Sequence, residues 1–218
     1  MKIHEGQPLL QDGSPPDEAS AVLILLHGRG GSAEDMIELG RALSPEGMRI
    51  ATLAPQASSG SWYPQRFLAP IALNEPHLGS ALGVIARLAD GLLAKGVSRE
   101  RMVFAGFSQG ACLAMEYAAR HPHRYGGVAG FSGALIGPPG TRRDVPGSLK
   151  GTPIFIGCGD TDRHIPVESV RETAAAFVAM GADVTERIYP GMPHTLCDDE
   201  IAAVLNIVRR AGSAGAGS

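Results

Sequence analysis

The sequence predicts an α/β protein with a mostly parallel central sheet and helices on both faces. Two observations carry this. Short, continuous apolar runs such as Ala-Val-Leu-Ile-Leu-Leu at 21–26 alternate with amphipathic stretches of 10–20 residues, and glycine-rich turns join one to the other. A run that is apolar at every position suits a strand covered on both faces, as strands of parallel sheets are.

Taken in order, residues 3–10 are expected to hold an edge strand and 21–26 the first buried strand. His27-Gly28-Arg29-Gly30-Gly31 follows, and Ser32 then reads as an N-cap with Glu34 and Asp35 in the first helical turn, where acids complement the helix dipole. Ile37, Leu39 and Leu43 supply its apolar face, and Pro45 stops it. Residues 48–54 read as a strand, and 55–77 as a long irregular loop with Trp62, Tyr63, Phe67 and Leu68, of the length and aromaticity that functional loops show. Leu78, Ala81, Leu82, Ile85, Leu88, Ala89 and Leu92 recur at helical spacing up to Gly96. The rest reads as strand 102–105, helix 109–120, strand 127–131, a Pro/Gly-rich loop 138–150, strand 153–156, helix 167–180, strand 183–189 and helix 198–210. Residues 1–210 are expected to form one domain. The Ala/Gly/Ser segment 211–218 has nothing to bury and is expected to be disordered.

The 218 residues carry a net charge of −3 with 44% hydrophobic content, which offers no basic footprint for nucleic acid or an anionic membrane. The first ten residues lack the apolar stretch of a signal peptide, and no run approaches the ~18 apolar residues of a span, so no stable membrane insertion is expected. Three cysteines, Cys112, Cys158 and Cys197, at unrelated spacings suit free thiols in a cytoplasm better than a disulfide framework or a metal site.

Chemistry enters at Gly106-Phe107-Ser108-Gln109-Gly110, a G-x-S-x-G pentapeptide between a predicted strand and a predicted helix. A serine in such a sharp turn presents its hydroxyl at the top of the sheet, and glycines on either side let backbone approach backbone. Reactive groups gather at the carboxyl ends of strands in open α/β sheets. Asp160 and Asp162 follow the 153–156 strand, and His194 follows the 183–189 strand, so serine, acid and histidine meet one edge in that order. It is the α/β-hydrolase order, unlike those of chymotrypsin and subtilisin. His194 is the expected base, since His164 lies too near the acid, His121 and His123 end a helix, and His4 and His77 have no evident partner. The two aspartates compete. Asp162 is preferred as the acid because the chain turns from it into a helix, and Asp160 is expected to brace the loop. Backbone N–H groups of Gln109 and Arg29 are the expected oxyanion donors. The alternative for His-Gly-Arg-Gly-Gly, a phosphate cradle, lacks the Lys-Ser/Thr of a P-loop and a complete G-x-G-x-x-G.

With these pieces in place, the chain resembles the phospholipase/carboxylesterase family of α/β-hydrolases, which includes acyl-protein thioesterases. The resemblance lies in Leu-Leu-His-Gly-Arg-Gly-Gly at 25–31, Ala-Pro-Gln-Ala at 54–57 with Trp62 beyond, Gly-Phe-Ser-Gln-Gly-Ala at 106–111, Gly-Asp-Thr-Asp-Arg-His-Ile-Pro at 159–166 and Gly-Met-Pro-His-Thr at 191–195. It implies an α/β-hydrolase fold without a large cap domain and a triad of Ser108, Asp162 and His194. The chain departs from the thioesterases at Arg29-Gly30-Gly31, where an apolar residue and Gly-Asp are usual, and at Cys158, where histidine is common; Arg29 brings a guanidinium near the acyl site. Dienelactone hydrolases share the fold with a cysteine nucleophile, but Cys112 lies a turn beyond Ser108 and reads as a small buried apolar residue.

The expected activity is a serine carboxylesterase cleaving short- to medium-chain esters through an acyl-enzyme, with no metal or cofactor. Trp62, Tyr63, Phe67, Leu68, Ile165 and Met192 are the candidate pocket walls. Thioesterase or lysophospholipase action with the same triad is the alternative, and a non-catalytic ligand sensor on this fold a third. A small-molecule ester is the expected partner; a homodimer is compatible with the chain but nothing in it demands one.

Overall fold

The computed structural model describes residues 2–143 and 145–214. Its strands are β1 (Leu9–Gly13), β2 (Ala21–Leu26), β3 (Ile50–Pro55), β4 (Met102–Phe107), β5 (Gly127–Phe131), β6 (Pro153–Gly159) and β7 (Asp183–Tyr189). The helices are α1 (Ala33–Ala42), α2 (His77–Ala94), α3 (Gln109–Arg120), α4 (Val167–Ala179) and α5 (Asp198–Ala214). The strands form one sheet in the order β1-β3-β2-β4-β5-β6-β7. Only the β1–β3 pair is antiparallel, with Leu9 opposite Pro55. This is the α/β-hydrolase arrangement, with no cap domain among the described residues.

Side-chain alternation within fully buried strands builds the two cores. Val22, Ile24 and Leu26 of β2 face one core, which takes the apolar sides of α2, α3 and α4. Ala21, Leu23 and Leu25 face the other, filled from α1 and α5 by residues such as Met36, Ile37, Val204 and Val208. Each buried Leu or Ile contributes roughly 1.5–3 kcal/mol relative to exposure. After β3 the chain crosses back to lay β4 on the far side of β2, with Leu26 in register with Gly106. Loops after β2 and β4 therefore diverge around a crevice at the carboxyl edge, where such sheets bind their ligands.

Ser32 caps α1, as the sequence suggests, and the Asp35 side chain accepts in return from the Ser32 N–H to complete a capping box. The edge strand begins at Leu9 rather than near residue 3, because the first residues turn inward and bury His4 against the 58–62 loop. α2 spans 18 residues with a mean hydropathy of 1.2, a length and composition compatible with a membrane span. Its stripe of Leu78, Ala81, Leu82, Ile85, Ala89 and Leu92 is instead buried in the core. Residues 211–214, expected to start a loose tail, continue α5, since Ala211 is buried in the second core; residues 215–218 lie outside the described residues. The loop after β5 is anchored by the buried Glu116 of α3, which accepts from Ile136 N–H at 3.0 Å and pairs with Arg143 and Arg120, each at 2.8 Å.

Candidate active site

β4 passes into α3 through a single residue, Ser108, whose φ of 55° and ψ of −118° lie in a region L-residues seldom occupy. Its N–H donates to the Phe131 carbonyl of the neighbouring β5 at 2.9 Å, which holds the turn in place. Gly106 and Gly110 make the turn possible. A Cβ on Gly110 would sit 2.0 Å from the Leu26 carbonyl oxygen, and one on Gly106 would sit 2.5 Å from the Gly110 carbonyl carbon. Both contacts are backbone, so neither can give way.

At the same edge, Oγ of Ser108 lies 2.8 Å from Nε2 of His194, and Nδ1 of His194 lies 2.6 Å from Oδ2 of Asp162. A carboxylate accepts, so Nδ1 carries the proton and Nε2 is left to accept from the serine hydroxyl. Oδ1 of Asp162 accepts from the N–H groups of His164 and Ile165 at 2.7 and 3.0 Å. Burial works against ionisation of Asp162, but the bonds from His194, His164 and Ile165 outweigh it and hold its pKa below the usual carboxylate value. The thiol of Cys158 stands 3.6 Å from the same Oδ2, and burial with the Asp162 charge pushes it up to about 12. Asp160 instead accepts from Gly191 N–H at 2.7 Å and so ties the acid loop to the histidine loop. His164 is exposed and its ring lies 4.7 Å from that of His194, tilted by 56°, while the Phe107 ring lies 4.9 Å from the same imidazole.

The two expected oxyanion donors also border this edge. Gln109 opens α3, so its N–H has no intrahelical acceptor, and Arg29 N–H has no backbone acceptor among the described residues. The loop bearing Arg29 is set by His27, which is fully buried and whose pKa is lowered by burial. Its Nδ1–H donates to Gly28 O at 2.7 Å, and its Nε2 accepts from Ala57 N–H at 3.0 Å, an arrangement only the neutral ring can make. The side chain of Arg29 donates to the carbonyls of Tyr63 and Gln65 at 2.8 and 2.9 Å. The side chain of Gln109 donates to Tyr63 O at 2.8 Å and accepts from Trp62 N–H at 2.9 Å.

Ser108, Gln109, His194 and Arg29 open into a cleft of about 640 Å³. Of the aromatic and apolar residues expected to wall it, Tyr63, Phe67 and Ile165 do so. Trp62 does not. It is fully buried between His4 and His27 and donates its indole N–H to His27 O, because the loop folds back into the core. Leu68 lines a separate cavity beside α4, and Met192 lies outside the cleft, its backbone packed on Gly159. Met36, Leu39, Phe107 and Leu196 also line it. Periodicity marked Leu39 only as core, and nothing in the sequence distinguishes Met36 or Leu196 from ordinary packing residues. Among the described residues, no three His, Cys, Asp or Glu side chains gather as metal ligands.

A profile of the phospholipase/carboxylesterase family matches residues 13–211. A crystal structure of a phospholipase/carboxylesterase from Dyadobacter fermentans superposes with a TM-score of 0.89 at 41% identity, covering 96% of this chain and 99% of that one. Acyl-protein thioesterase 1 of Saccharomyces cerevisiae is 29% identical over 119 residues, 53% of this chain and 52% of that protein. Lysophospholipase-like protein 1 of Mus musculus is 27% identical over 208 residues, 86% of this chain and 85% of that protein. The match spans about half the length of the yeast protein and of several other curated relatives.

Proposed function

Since the chain belongs to the phospholipase/carboxylesterase family, we propose that it is a serine carboxylesterase acting through Ser108, His194 and Asp162. The observation that carries the reading is the unbroken hydrogen-bonded series from the Ser108 hydroxyl through the His194 ring to Asp162, at 2.8 and 2.6 Å. His194 Nε2 takes the serine proton as Oγ attacks the ester carbonyl, and the imidazolium that forms is stabilised by the ionised Asp162. The Gln109 and Arg29 N–H groups hold the oxygen of the tetrahedral intermediate. His194 returns the proton to the departing alcohol, and water, activated by the same ring, releases the acid from Ser108.

The aromatic wall of Tyr63 and Phe67 favours short- to medium-chain acyl groups; a rate rising steadily to long chains would count against that preference. The free state of Cys112, Cys158 and Cys197 supports a reducing, cytoplasmic setting. Labelling with a fluorophosphonate followed by mass spectrometry tests the mechanism. The adduct is expected on Ser108, and Ser108→Ala is expected to abolish both labelling and turnover. An adduct elsewhere, or activity unchanged in Ser108→Ala, overturns the reading. Matched oxygen and thiol esters of one acyl group, compared by kcat/KM, separate an esterase from a thioesterase.

A further inference from the structure

Two guanidinium groups border the cleft, and neither is ion-paired among the described residues. Arg29 spends Nη2 on the neutral carbonyls of Tyr63 and Gln65. Arg66, exposed on the aromatic loop, donates from Nη2 to the carbonyl of His164 at 3.3 Å, beside the acid and close to the His194 ring. The acceptors are neutral carbonyls, so these bonds leave both charges in place. Arg29 spends both Nη2 hydrogens and keeps single donors at Nε and Nη1, whereas Arg66 spends one and keeps one of its two planar N–H pairs, the fork that matches a carboxylate. Among the described residues the one carboxylate lining the cleft is Asp35, whose Oδ2 accepts from Ser32 N–H at 2.9 Å in the α1 cap. Among the residues lining the cleft the two arginines outnumber the one aspartate, on a chain whose net charge is −3.

Resting on the esterase reading above, we propose that the preferred substrates are esters carrying a carboxylate several atoms from the scissile carbonyl, recognised by Arg66 together with Arg29. The carboxylate can belong to the acid part or to the alcohol part of the ester. An anion at this rim is drawn in by long-range attraction as well as by direct hydrogen bonds.

The test uses the full chain and two pairs of esters that differ in charge but little in shape. In the first pair, mono-4-nitrophenyl glutarate is compared with its methyl ester, following 4-nitrophenol release. In the second, the butyrate ester of 4-hydroxybenzoate is compared with that of 4-hydroxybenzamide. In at least one pair, kcat/KM is expected to favour the charged member by about tenfold or more, the size of one charge-assisted hydrogen bond. The pair showing the preference identifies the side that bears the carboxylate. Arg66→Gln is expected to remove most of that ratio, Arg66→Lys to keep part of it, and Arg66→Glu to invert it. Raising salt to about 0.5 M compresses the ratio, because screening weakens exposed charges. A ratio near one in both pairs, or a preference untouched by Arg66→Gln, overturns the inference while fluorophosphonate labelling of Ser108 leaves the esterase reading standing. No turnover in either pair together with no labelling of Ser108 removes both.

Discussion

The carbonyl oxygen of Tyr63 accepts a hydrogen bond from Nε2 of Gln109 at 2.8 Å, so the residue after the proposed nucleophile holds the aromatic wall of the cleft. The same oxygen accepts from Nη2 of Arg29 at 2.8 Å and from the Ser61 hydroxyl at 3.0 Å. Through this one atom the loop after β2, the start of α3 and the 61–67 segment are joined. Gln109→Ala removes the donor to Tyr63 and leaves the buried Trp62 N–H without its acceptor, a loss of roughly 1–3 kcal/mol in stability. Displacement of the cleft wall is expected to lower kcat/KM about 10–100-fold. Urea melts and ester kinetics on one preparation check both, and kinetics equal to wild type would show that the wall is held by other means.

Gly110→Ala tests the turn. Its Cβ would lie 2.0 Å from the Leu26 carbonyl oxygen, so β2 and α3 must part. The expected cost is about 3 kcal/mol or more, at the upper end of overpacking penalties. A thermal melt within a degree or two of wild type would mean that the helix can shift at little cost.

Asp162→Asn keeps the shape of the acid but reverses its hydrogen-bonding preference toward Nδ1 of His194. The ring is then expected to settle in the tautomer that cannot accept from Ser108, lowering kcat about 10⁴-fold while KM changes little. Steady-state kinetics on a single ester decide it, and a loss below tenfold would assign the orienting role to another group.

Glu200 lies fully buried at the start of α5, with Oε2 accepting from Cys197 N–H at 2.9 Å and Oε1 unpartnered among the described residues. Burial pushes its carboxyl up to about 7 from an ordinary 4.5. Between those values the folded chain keeps a proton that the unfolded chain has released, so this contribution to stability is present at low pH and is lost as pH rises through about 7. The buried His4 and His27, both lowered by burial, act in the opposite sense and cost stability as pH falls below 6.5. The difference between wild type and Glu200→Gln cancels the histidines. The variant is expected to gain stability relative to wild type from pH 5 to pH 8, by at most ~3 kcal/mol at ~1.4 kcal/mol per pH unit. Chemical denaturation at those two pH values measures it. A gap that does not change with pH would show that Glu200 stays ionised.

Legibility in the sequence followed the range of the interactions. β2 and β4 stood out because burial on both faces leaves an unbroken apolar run. Ser108 stood out because its turn demands glycine at fixed offsets. Asp160 was expected to brace its loop, and it accepts from Gly191 N–H. His4, His27 and the Gln109 side chain were not legible as loop supports. Their partners include backbone atoms 30 to 58 residues away, which leave no mark on neighbouring residue types. Trp62 misled for a related reason. An aromatic in a long loop reads as a pocket wall until the loop is seen to fold inward. Leu39 misled in reverse, since a helix stripe that packs a core and one that lines a cleft have the same period.

The residues lining the cleft differ in how they are held. The Tyr63 side hangs on directional bonds that converge on one oxygen, whereas Met36, Leu39 and Leu196 meet the opening with shape alone. Repertoire drift in this lineage should therefore be lopsided. Variation that reshapes the cleft has room to accumulate along α1 and around Leu196, while the aromatic flank stays fixed in place.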